Sequence, residues 1–176
     1  MSNADAPRAL MSRRSLLRVG LVVGGLGAAG GVGRLAWLGA PAPGAALLTR
    51  RELEIIEAIS ELMFPEGNAI GVSWREVDLP LRVDALMTNT LAEAASVSFR
   101  YLLRALDLTS VFTHGTRFHA GTRAEQAEIL TAWAEDFPQN LGVDAIKSVM
   151  AMAFFNHPRV LEAVGFQYRC PPGGPA

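Results

Sequence analysis

The residues of this 176-residue chain that could do chemistry are few: three histidines, one cysteine and six methionines. His114 and His119 stand five apart, a spacing that does not place two side chains on one helix face. His157 stands directly before Pro158. A metal site assembled from all three would make the chain a small metalloenzyme, but no carboxylate motif accompanies them, and histidines at the surface or at helix ends are the stronger reading. Cys170 is the only cysteine. It excludes an internal disulfide, a CxxCH haem attachment and any cysteine-ligated cluster. No serine sits in a Gly-x-Ser-x-Gly elbow, and no phosphate-binding loop is present. Met150 and Met152 read as core filling rather than as ligands. No catalytic, cofactor-binding or metal-binding residue is assigned to the chain.

The spacing that does carry a chemical message lies at the start. Ser12-Arg13-Arg14-Ser15-Leu16-Leu17-Arg18 precedes an uncharged run, residues 19–33, in which seven of fifteen residues are glycine. A charged segment followed by a short apolar one is an export signal. The run falls short of the roughly 20 apolar residues of a membrane-spanning helix. Its glycines keep hydrophobicity low, and weak hydrophobicity behind paired arginines is the mark of a twin-arginine signal. Ser12, Arg13, Arg14, Leu16 and Leu17 are therefore the export-signal residues, read by the twin-arginine translocase. Two small-residue stretches follow, Ala40-Pro41-Ala42 and Gly44-Ala45-Ala46. Cleavage after Ala42 would leave Pro43 first, which peptidases handle poorly. A leader that stays attached and touches the membrane is the other outcome.

Charge separates this leader from the rest. Residues 1–46 hold five arginines and one acid, a net of +4; the remaining 11 basic and 16 acidic residues give the body a net of −5. An acidic body excludes the basic face that nucleic-acid binding requires. The division is thus a leader over residues 1–46, a folded domain over 47–168 and an unstructured tail over 169–176, ending Pro-Pro-Gly-Gly-Pro-Ala.

The elements that must position the body's side chains are all helical. Thr49-x-x-Glu52 is a capping box, and Leu53, Ile56, Ile59, Leu62 and Met63 follow at helical spacing until Pro65. Glu54, Glu57 and Glu61 take the solvated face. Residues 65–77 read as a loop holding Trp74. Asp78 is placed to cap a second helix with Pro80 in its first turn. Its apolar stripe runs on through Phe99, Leu102, Leu103 and Leu106, as one long helix or as two broken near Thr88–Thr90. Residues 107–121 read as a loop. Thr122-x-x-Glu125 is a second capping box. A further helix opens after Pro138 and runs to about Phe155, and a last short turn ends at Gly165. Four or five such helices close an irregular all-α bundle. Phe154, Phe155, Val160, Leu161, Val164 and Phe166 crowd more apolar surface near the C-terminus than a domain this small readily covers. Phe154, Phe155, Val160, Leu161 and Phe166 are therefore the candidate partner interface.

The pattern Thr49-x-x-Glu52-Leu53-x-x-Ile56-x-x-Ile59-x-x-Leu62-Met63-Phe64-Pro65 behind a twin-arginine leader resembles the gluconate 2-dehydrogenase subunit 3 family. The stretch Phe154-Phe155-Asn156-His157-Pro158-Arg159-Val160-x-x-Ala163-Val164-Gly165-Phe166 is similar to one branch of it. The glycine-rich ending with a tryptophan found in the sugar-acid branch is missing, so the resemblance names no substrate. It implies a small accessory subunit for a flavin-dependent dehydrogenase of the glucose–methanol–choline type. Such a subunit supplies the signal for a partner that lacks one and assists its maturation. The FAD would belong to the partner, and a cytochrome often accepts the electrons. The alternative of another class is a stand-alone envelope protein, membrane-anchored or periplasmic, that binds some other partner.

Overall fold

A computed structural model describes residues 39–166. The export-signal residues and the C-terminal tail with Cys170 lie outside them. Among the described residues there are six α-helices: α1 Arg50–Met63, α2 Leu79–Asn89, α3 Glu93–His114, α4 Arg123–Glu135, α5 Gln139–Phe155 and α6 Pro158–Ala163. Short 3-10 turns at Arg75–Val77 and Phe118–Ala120 lie between them, and no strand occurs among the described residues. The expectation of an all-α bundle holds. No helix among the described residues is long and apolar enough to cross a membrane.

Both capping boxes form. Thr49 accepts from the Glu52 N–H while Glu52 accepts from the Thr49 N–H, and Thr122 and Glu125 do the same for α4. These reciprocal bonds satisfy donors that a helix start otherwise leaves unmade. Asp78 does not cap α2. It occupies the cap position in a left-handed conformation, φ 49°, with no side-chain bond to the helix; aspartate tolerates that region better than most residues.

The stripe of residues 79–106 is divided, α2 ending at Asn89 and α3 starting at Glu93. The expected loop over 107–121 is corrected: α3 continues through His114. Leu106 and Ser110 are buried on it. The Thr109 and Thr113 hydroxyls donate to carbonyls four residues back, so these polar residues do not break the helix. What remains of the loop is tied down. Phe118 is fully buried, and its N–H and C=O bond to Asp107 and Gln126 respectively.

The core is continuous across all the helices. Ile55, Ile56 and Ile59 of α1 meet Val83 and Met87 of α2, Leu103 and Leu106 of α3, and Ile146, Met150 and Phe154 of α5, all buried. Gly142 lets α5 approach α3 closely: a Cβ there would stand 3.0 Å from Leu102 Cδ2. The compact unit that holds the helices takes in residues from Ala40 onward, and Ala42 and Leu48 are buried in it.

Candidate functional site

Polar positioning comes first, because it sets which faces remain outward. Glu52 of α1 is fully buried. Its carboxylate accepts from Arg100 Nε at 3.1 and 3.2 Å, from Arg100 Nη2 at 3.1 Å and from Arg104 Nε at 3.3 Å. It also accepts from the Thr49 N–H and hydroxyl. One helical turn along α3, buried Asp107 accepts from Arg51 and Arg117 and from the Phe118 N–H. Two neighbouring residues of α1, Arg51 and Glu52, thus pair with opposite charges on one face of α3. Charged groups survive burial only when paired and hydrogen-bonded in this way. The expectation that α1 acids form a solvated face therefore holds for its outer positions and not for Glu52.

With α3 held by that face, its other side turns outward. Leu108 and Phe112, four residues apart, are exposed, Phe112 to 81 %. Phe137 and Leu141, at the junction of α4 and α5, are exposed as well. Leu108 and Phe112 escape notice in the sequence because both sit in the stretch expected to be a loop.

The interface expected near the C-terminus divides. Phe154 and Val160 are fully buried and leave the candidate set. Phe154 stacks on Phe64 with ring centroids 4.0 Å apart. Phe155 is 40 % exposed, yet its ring is braced edge-on by Phe154 at 5.4 Å and by Phe64 at 6.2 Å. Leu161 is partly buried. Phe166 is 53 % exposed. Its position follows from the way α6 ends: the Gly165 N–H donates to Glu162 and the Phe166 N–H to Leu161. Gly165 takes the positive φ this ending needs, 73°. Met152, expected in the core, is exposed while Met150 is buried. Phe155, Phe166, Met152 and Val164 therefore supply apolar surface from the last two helices. Rigid, partly supported aromatics of this kind are what a partner surface needs.

The histidines play other parts. His157 caps α6, its Nδ1 accepting from the Arg159 N–H at 3.1 Å. His119 lies 3.6 Å from Asp107 and 3.6 Å from Glu54. Among the described residues no three His, Cys, Asp or Glu side chains are grouped to hold a metal ion. Desolvation, then the Arg82 and Arg159 charges, hold His157 below its ordinary 6.5. The folded state thus binds this proton less readily than the unfolded chain. The stability tied to His157 is complete above pH 6.5 and declines as pH falls through its lowered folded value. Imidazole titration followed by NMR should place the His157 pKa below 6.5; a value at or above 6.5 would remove the effect.

A model of the family described as gluconate 2-dehydrogenase subunit 3 matches residues 50–173. No curated protein and no solved structure matches the chain.

Proposed function

We propose that this chain, which belongs to the gluconate 2-dehydrogenase subunit 3 family, is the signal-bearing accessory subunit of an exported flavin-dependent dehydrogenase. The observation that carries the proposal is the joining, in one polypeptide, of Arg13-Arg14 before an uncharged glycine-rich run and a helical domain matched by this family from α1 onward. The family description makes a dehydrogenase the expected partner. FAD and substrate belong to that partner, of the glucose–methanol–choline type, and a cytochrome is its electron acceptor. The twin-arginine route moves folded proteins, so one leader serves two chains that have already docked. The complex then resides in the periplasm or at the envelope surface of the membrane.

The docking surface is apolar and centred on Phe155 and Phe166, with Leu161 at its edge. Phe154 and Val160 lie beneath it and support it. The acidic body leaves room for an arginine-rich rim on the partner.

Purification of the tagged chain from its native host tests the assignment. A second protein should come with it, and the pair should show flavin absorbance. Joint replacement of Phe155 and Phe166 by serine should release the partner, with a loss of roughly 30-fold or more in affinity for hot-spot aromatics. Helicity should be kept, because Phe166 is 53 % exposed and Phe155 sits at the rim of the Phe64–Phe154 stack rather than within it. A chain that comes down alone and colourless at normal expression favours the stand-alone envelope protein.

A further inference from the structure

The stretch joining the leader to α1 is part of the folded domain rather than a free linker. Ala42 is buried; its N–H donates to the Leu48 carbonyl at 2.8 Å and its carbonyl accepts from the Ala45 N–H at 3.0 Å. Between them Pro43 and Gly44 make a turn, with Gly44 at φ 85°. Proline followed by a residue of positive φ is the pattern of a type II turn. The N–H groups of Ala46, Leu47 and Leu48 then all donate to one carboxylate, that of Asp84 on α2, at 2.7, 3.0 and 2.7 Å. Asp84 and Leu48 are themselves buried. Residues 42–48 thus form a closed loop clamped on α2.

Both small-residue stretches that could be processed end inside this loop. For cleavage after Ala42, the carbonyl to be attacked is the one bonded within the turn. For cleavage after Ala46, the amide that must leave is the Leu47 N–H bonded to Asp84. A peptidase accepts its substrate as an extended strand paired with its own backbone. The loop can meet that need only by opening, which breaks the turn and the Asp84 bonds together.

We propose that the folded domain closes both sites to signal peptidase, so that a chain exported in the folded state keeps its leader and is tethered by it. The consequence for tethering rests on the twin-arginine reading; the closure does not. The purified full-length chain, incubated separately with signal peptidase and with elastase, which cuts after small residues without needing a leader, decides the closure by intact mass. The wild type should resist cutting between residues 42 and 48. Gly44→Val puts a β-branched residue at a positive φ, where nothing lies within 4 Å of its Cβ, and should open the turn without disturbing the core. Asp84→Asn should loosen the clamp. Each should raise elastase cutting in this stretch by roughly tenfold or more, since cleavage follows the population of the opened loop. Wild-type cutting after Ala42 or Ala46 as fast as in Gly44→Val overturns the proposal, and so does an envelope-derived chain that begins at Pro43 or Leu47. A chain retained in the cytoplasm would overturn the export assignment while the protease result stands by itself.

Discussion

Replacing Glu52 by alanine is expected to destabilise the domain by about 3–5 kcal/mol, the range for breaking a buried ion pair by removing one partner. The carboxylate is fully buried and holds two arginines of α3 as well as the start of α1. Its removal takes from Arg100, whose side chain is 6 % exposed, the carboxylate that accepts three hydrogen bonds from it. The capping box of α1 is lost in the same substitution. Against the 5–15 kcal/mol that stabilises a typical domain, the loss is a large share. Denaturant unfolding followed by far-ultraviolet circular dichroism measures it. Glu52→Gln keeps the volume and some hydrogen bonds and should fall between wild type and alanine. A loss below about 1 kcal/mol for Glu52→Ala, the scale of an exposed pair, would mean that the arginines find other partners. Substituting Glu52, Arg100 and Arg104 together by apolar residues is a different experiment, because a replaced network leaves no orphan charge.

Changing Arg13 and Arg14 together to lysine is expected to abolish export while leaving the net charge of the leader at +4. The reason is chemical: a guanidinium is a planar fork of donors, and a receptor built for two such forks does not accept two ammonium groups in their place. Fractionation of the host, with protease treatment of intact spheroplasts, gives the result directly. In the proposed assembly the partner depends on the same signal, so flavoprotein activity outside the cytoplasm should fall together with this chain. Export unchanged by the double substitution would sink the signal assignment. Loss of this chain with normal export of the flavoprotein would keep the signal and remove the carrier role.

The two substitutions probe different kinds of legibility. Arg13 and Arg14 act through a motif read in sequence order, so their role needs no fold. Glu52 is visible in the sequence only as the fourth residue of a capping box. That it is buried, and that its carboxylate also serves α3, depends on arginines 48 and 52 residues further along. The same limit explains the misplaced loop. Residues 107–114 hold Asp107, Thr109, Ser110, Thr113 and His114, which by type discourage a helix. The ion pairs of Asp107 and the hydroxyl bonds to the preceding turn make the helix favourable where propensity does not.

By itself the sequence determined where the capped helices α1 and α4 start, that the domain is all-α, and which family it joins. Capping boxes, prolines and apolar spacing act within about four residues, and those interactions form in almost any surroundings. Tertiary structure alone decided that Phe154 turns inward and Phe155 outward, that Leu108 and Phe112 face away from the core, and that Asp84 binds three amides 36 to 38 residues before it. Burial is a property of what packs from elsewhere in the chain. Adjacent residues of one helix point 100° apart, and only the position of the neighbouring helices settles which of the two meets the core.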